Sequence, residues 1–73
     1  MTSTIKTATV STRTIAGTDY PVDVTLTRFA PAGRRPTWTV ATVCNGVADC
    51  GQEWRTHRDA DAFFAEVVSV WTR

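Results

Sequence analysis

The chain has 73 residues, a mass of 8.0 kDa and a net charge of +1, with 42% hydrophobic and 21% charged residues. This length allows one small domain, which buries only about 60% of the surface that its unfolded chain exposes, and the composition excludes a disordered chain. No stretch of eighteen apolar residues is present, which excludes a membrane-spanning helix, and a charge so near neutral argues against a protein dedicated to polyanions.

Charge is unevenly distributed along the chain. Residues 1–36 carry a net charge of +3 and residues 37–73 a net charge of −2. The first six residues hold one basic residue and no apolar run, unlike a secretory signal, so we expect a cytoplasmic protein. In that reducing compartment Cys44 and Cys50 are expected as free thiols. A composition rich in threonine, alanine, valine and arginine, with a single lysine, is typical of a high-GC bacterial or phage genome.

The first segment predicts a strand over residues 4–15, although its inward face stays open. Twelve of the fourteen threonines lie in the first sixty per cent of the chain, which enriches this part in β-branched residues. Ala8 and Val10 point to one side of the strand, whereas Ile5 and Ile15 point to the other. A strand with little charge and no clear inside face is typical of a sheet edge.

A second strand is predicted over residues 20–29, after turn chemistry at residues 16–19. This segment has the clearest alternation in the chain, since Tyr20, Val22 and Leu26 share one side with Val24 while polar residues fill the other. We therefore expect one buried face and one exposed face.

Residues 30–36 combine two prolines, a glycine and the adjacent Arg34 and Arg35, a composition that breaks both strands and helices. We expect a mobile basic loop there. A third strand follows over residues 37–44, with Trp38 and Val40 on its apolar side.

The hairpin after this third strand has three alternative registers. The Asn-Gly dipeptide at residues 45–46 suggests a two-residue turn, but that turn would place Trp54 on the face opposite Trp38. A loop of three residues would pair Trp38 with Trp54, and a loop of five residues would keep the same parity. We therefore prefer a loop of three or five residues and expect a short fourth strand over residues 50–55.

The end of the chain predicts a helix over residues 57–72. Thr56 and Asp59 resemble a capping box, in which the Thr56 hydroxyl accepts from the Asp59 amide. The expected fold is therefore α+β, a three- to four-stranded antiparallel sheet with one C-terminal helix packed on one face, in a single domain over residues 1–73. The apolar residues of the helix recur at a 3.6 period, at Ala60, Phe63, Phe64, Val67, Val68 and Trp71.

The chain offers little for catalysis or metal binding. His57 is the only histidine and would need Cys44 or Cys50 as its nucleophile, with no local signature around any of them. The five residues between the two cysteines match neither a zinc knuckle nor a redox motif. We predict no enzyme activity, no cofactor and no metal site. A five-residue hairpin loop would bring the two sulfurs face to face, so a disulfide stays an open alternative.

Four residues form the candidate binding site: Arg28, Phe29, Arg34 and Arg35. The arginines would contact phosphate, and Phe29 lies on the polar side of its strand, so we expect it to be exposed. Tyr20, Trp38 and Trp54 are predicted to form the floor under the helix instead. The exposed sheet face is expected to be rich in hydroxyls and poor in cations, with Asp23, Thr25, Thr27, Thr37, Thr39 and Glu53.

The leading functional hypothesis is a small non-enzymatic binding module that acts through protein–protein interaction, as a dimeric adaptor or as an inhibitor of a partner. It would use a sheet edge or a sheet face, and self-association would enlarge a marginal core. The alternative is weak nucleic-acid binding through the basic loop beside the sheet. The sequence leaves the partner and the oligomeric state open.

Overall fold

The chain forms four strands followed by one helix. A computed structural model describes residues 2–73, apart from the side chain of Cys50. The elements are β1 (Thr2–Ile15), β2 (Thr18–Phe29), β3 (Thr37–Cys44), β4 (Val47–Trp54) and α1 (His57–Trp71). The strands form one antiparallel sheet in the order β1-β2-β3-β4, and α1 packs on one side of it. The predicted α+β fold is confirmed. No helix within residues 2–73 is long and apolar enough to span a membrane.

Both hairpins turn through two residues with left-handed backbone. The φ angles are 51° and 83° at Ala16 and Gly17, and 53° and 76° at Asn45 and Gly46. Such turns match the right-handed twist of the strands that they join. Consequently β4 begins at Val47, directly after the turn, and the predicted three- or five-residue loop is wrong. The first hairpin is likewise paired up to its turn, so β2 begins two residues earlier than predicted. β1 also begins two residues earlier than predicted, at the end away from the turn.

A bulge in β4 reconciles the short turn with the aromatic pair. Residues on both sides of Ala41 pair regularly with β4, whereas Ala41 itself lies opposite two residues, 50–51. The extra residue shifts the parity of the strand by one position. Trp38 therefore pairs with Trp54, as in one of the two preferred registers, but the odd residue lies inside the strand and not in the loop.

Two register shifts in β1 determine which of its residues point toward the core, a question that the sequence left open. The shifts make Ile5 and Val10 extra residues opposite β2. Between them Ala8 pairs with Val24 and packs against the core. Each extra residue reverses the alternation of inward and outward side chains, so β1 has no single alternation along its length. A sequence pattern that assumes one alternation therefore leaves the inward face ambiguous.

The core is small and lies between α1 and the two central strands. Trp38, Trp54 and Phe63 are half-buried and pack against it. The predicted apolar stripe of α1 lies on the sheet from Ala60 onward, but Trp71 at its end is 39% exposed. The buried hydrophobic residues are Val22, Val24, Leu26, Val40, Ala60 and Phe64.

The β1–β2 hairpin projects beyond the rest of the sheet. β3 pairs only with residues 22–29 of β2, so the tip of the hairpin is two strands wide. Tyr20, expected in the floor under the helix, pairs with Arg13 on this tip and lies outside the core cluster. The molecule measures 46 × 24 × 16 Å and exposes 5175 Å². A folded monomer of this mass exposes about 4,500 Å² on average, so the excess reflects an extended shape.

Candidate functional site

Five of the eight basic residues lie at one end of the molecule. At this end β2 finishes, β3 begins, β4 finishes and α1 begins, since Phe29 pairs with Thr37 and Trp38 with Trp54. We call this region the arginine end. Its basic residues are Arg28, Arg34, Arg35, Arg55 and Arg58.

A cleft opens between the basic loop and the end of β4. The loop contains a tight turn in which the Arg34 amide donates to the Pro31 carbonyl at 3.3 Å. Arg35 follows this turn and lines a cleft of about 330 Å³ together with Arg55. The remaining lining residues are Pro36, Thr37 and Thr56, so none of the five is acidic.

Arg55 could not be assigned to this site from the sequence. It lies in the half of the chain with net negative charge, twenty residues after Arg35. Only the register of β3 with β4 brings its position next to Thr37, and that register depends on the bulge at residues 50–51. The signal that could have found it is the predicted pair of Trp38 and Trp54.

The four predicted site residues do not form one surface. Arg28 pairs with Trp38 on the side of the sheet that α1 covers, and Phe29 points to the opposite side with Thr37. Phe29 is 46% exposed, as predicted. Because Thr37 also lines the cleft, Phe29 and Arg35 share one side of the arginine end, while Arg28 occupies the other.

Trp38 is the centre of an aromatic and cationic cluster at the start of α1. The Arg28 guanidinium lies 5.9 Å from the Trp38 ring centroid, and the exposed His57 imidazole stacks on the same ring at 5.8 Å, nearly parallel. The prediction that Trp38 and Trp54 pack under the helix is confirmed. Their two indole N–H groups are buried and have no hydrogen-bond partner among the described residues.

The fold does not bring the Cys44 thiol to His57. Trp38 stacks on His57, and Cys44 lies six residues further along β3, about 20 Å away at the rise of a strand. Cys44 is a half-buried free thiol that pairs with Val47, so the register that would oppose the two cysteines is wrong. The Cys50 side chain lies outside the described part of the chain. Among the described side chains, no group of three or more potential ligands could hold a metal ion.

The side of the sheet away from α1 is uncovered, and we call it the open face. Direct strand partners share a face, which places here all six residues predicted for the exposed side. Its paired positions carry Asp19, Asp23 and Glu53 but no lysine or arginine. Ten of the fourteen threonines lie on it: Thr2, Thr4, Thr7, Thr9, Thr12, Thr14, Thr25, Thr27, Thr37 and Thr39.

Several threonine hydroxyls of the open face are used within the sheet itself. Thr25 Oγ1 donates to the Ala41 carbonyl and Thr27 Oγ1 to the Thr39 carbonyl, both at 3.4 Å. Thr9 Oγ1 donates to the Asp23 carboxylate at 2.6 Å. A hydroxyl turned toward the neighbouring strand leaves the methyl group as the outward part of the side chain. The centre of the open face is therefore more apolar than its composition suggests.

Both edges of the sheet are interrupted. β1 is an edge strand, as predicted, but it carries two bulges and the only lysine of the chain, Lys6. β4, the other edge, carries the bulge at residues 50–51. Bulges and edge lysines both oppose the addition of another strand.

Comparisons with protein families, with curated proteins and with solved structures give no match to this chain. The candidate functional surfaces are therefore the arginine end and the open face.

Proposed function

We propose that this chain is a small non-enzymatic binding module that acts through protein–protein contact, with the open face as its contact surface and a second copy as its first partner. The observation that carries the proposal is the uncovered face of threonines whose central hydroxyls bond within the sheet. Where the hydroxyls bond within the sheet, the methyl groups can be buried without leaving those hydroxyls unsatisfied, which favours contact with another protein surface.

The size of the open face supports a contact with a second copy. Four strands about 4.8 Å apart, two of them about 40 Å long and two about 27 Å long, outline roughly 640 Å² before the relief of the side chains is counted. Stable complexes bury about 800 Å² per partner. Pairing of two open faces would also give the six-residue core a second layer.

The edges support a face contact over an edge contact. Pairing along β1 would have to accommodate the bulges at Ile5 and Val10, which break the regular ladder of donors and acceptors. Pairing between the two central strands has no such interruption, since β2 and β3 pair residue by residue from Val22 with Cys44 to Phe29 with Thr37.

The test is the molecular mass in solution, by sedimentation velocity over a wide range of protein concentration. The wild-type chain is expected to dimerise, and Thr25→Lys or Thr7→Lys to be monomeric, because each places a charge at the centre of the contact. Thr18→Lys is the matched control, since Thr18 is exposed at the hairpin turn on the other side of the sheet. A monomeric wild type, or a Thr25→Lys variant that dimerises like the control, would refute the proposal.

Salt provides an independent check on the surface involved. The open face carries carboxylates without cations, so two copies repel each other weakly, and added salt should tighten the dimer by screening. A dimer built through the arginine end and acidic residues of another copy would weaken with salt instead.

A second function, weak nucleic-acid binding, is supported by the position of Arg55 beside Arg35 at the arginine end. Five basic residues lie at this end, whereas the sequence alone placed only three near the loop. Titration of labelled oligonucleotides at two salt concentrations tests it, because phosphate contacts give an affinity that falls steeply with salt. Affinity that does not change with salt would refute phosphate binding at this end.

A further inference from the structure

We infer that the cleft at the arginine end holds one phosphate of a single-stranded nucleic acid and that the neighbouring base stacks on Phe29. This inference rests on the second proposed function, and two of its residues, Phe29 and Thr37, lie at the end of the open face. It names the residues that bind, the class of ligand and a preference for single-stranded over duplex nucleic acid.

The cleft has the chemistry for a phosphate. Arg35 and Arg55 line it from two separate segments, and guanidinium groups are the preferred partners of phosphate oxygens. Thr37 and Thr56 add hydroxyl groups. The Thr56 oxygen accepts from the Asp59 amide, so its own proton is free to donate to a ligand.

The size of the cleft suits more than a bare ion. Its volume of about 330 Å³ is about ten times the share of one water molecule in the liquid and falls at the lower end of the range for small-ligand sites. A phosphate with part of its sugar would fill it. Phe29 is a neighbour of the cleft, because its strand partner Thr37 forms part of the lining.

Phe29 favours a single strand over a duplex. Phe29 is 46% exposed, and its strand pairs with that of Thr37 at the usual spacing of about 4.8 Å, so Phe29 is next to a residue that lines the cleft. A base can stack on an exposed aromatic ring only when it has left its own helical stack. The combination of a cationic cleft with one adjacent aromatic ring therefore fits a flexible single strand.

The experiment is a fluorescence-anisotropy titration of a labelled oligothymidylate and of a duplex of equal length, at low and at moderate salt. Phe29→Ala should weaken single-strand binding about five- to a hundredfold and leave duplex binding and the salt slope unchanged. The double variant Arg35→Ala/Arg55→Ala should weaken binding to both and reduce the magnitude of the salt slope by about one or two.

Two control variants separate these effects from general losses. Arg13→Ala removes a cation at the hairpin tip, far from the cleft, and Ile15→Ala removes an apolar side chain that is 41% exposed. Circular dichroism confirms folding, because all the altered residues are exposed. If Phe29→Ala behaves like Ile15→Ala, or the double variant like Arg13→Ala, the site is refuted while nucleic-acid binding stands. If the wild-type chain binds neither oligonucleotide at tens of micromolar, both are refuted.

Discussion

Trp38 lies directly opposite Trp54 across β3 and β4, on the side that the helix covers. The Trp54 ring packs against Phe63 at 5.2 Å between centroids, and the Trp38 ring against His57. This pair joins the sheet to the first turns of α1 and so fixes the helix next to the arginine end. The pair keeps its position although both indole N–H groups are buried without a partner among the described residues, a loss of about 1–3 kcal/mol for each group.

Trp54→Phe is expected to destabilise the fold by less than about 1.5 kcal/mol, because the lost ring area is partly offset by removal of an unsatisfied donor. Trp54→Ala should cost about 3 kcal/mol or more, since it also removes the contact with Phe63. Urea denaturation at low protein concentration measures both without a contribution from association. If both variants lose the same free energy of unfolding, the indole N–H of Trp54 makes a stabilising hydrogen bond.

The open face and the helix could be predicted from sequence because each follows one period over many residues. The alternation around Val24 places the threonines of β2 outward, and the 3.6 period places Ala60 and Phe64 inward. The bulges could not be predicted, because an extra residue in a strand does not change the kinds of residue that the strand contains. The position of Arg55 depends on one of them, at residues 50–51, so part of the candidate site stayed hidden as well.

Two glycines of the second hairpin should respond differently to alanine. Gly46 has a φ of 76°, where a Cβ is strained, so Gly46→Ala should destabilise the fold by about 1–2 kcal/mol. Gly51 lies in the bulge, and a Cβ there would sit 3.7 Å from the Ala41 Cβ, an ordinary contact. Gly51→Ala should be neutral or slightly stabilising, because it restricts the unfolded chain. Thermal melts of both variants test this, and a larger loss at Gly51 would contradict the bulge geometry.

Asp61 links the helix to β1 through an ion pair with Lys6. The hydrogen bond from Lys6 lowers the pKa of Asp61 below its usual value near 3.8, against an opposing effect of burial and with further lowering by the charges of Lys6 and His57. A pKa lowered by folding stabilises the protein above the unfolded value, and this contribution is lost as pH falls from about 4 through the lowered folded value.

Asp61→Asn should therefore reduce the free energy of unfolding at pH 7 and have a smaller effect near pH 2, with a smaller loss in high salt because both side chains are nearly half exposed. Glu66→Gln, at an exposed carboxylate on the same helix, is the control for the loss of one carboxylate. Lys6→Gln should add nothing to Asp61→Asn if the ion pair is the cause. A loss at pH 2 equal to that at pH 7 would exclude it.

Thr56 is both the N-cap of α1 and part of the cleft wall. Its Oγ1 accepts from the Asp59 amide at 3.3 Å, so Thr56→Ala should cost about 1 kcal/mol, or about 4–8 °C in Tm for a chain of this size. Thr56→Ser keeps the hydroxyl and should stay within about 2 °C of the wild type, and it should also keep any affinity for oligonucleotides. Thermal unfolding and the anisotropy titration are measured on the same two variants. If Thr56→Ala lost stability but kept full affinity, the hydroxyl would cap the helix without contacting the ligand, and the phosphate would be held by the two arginines alone.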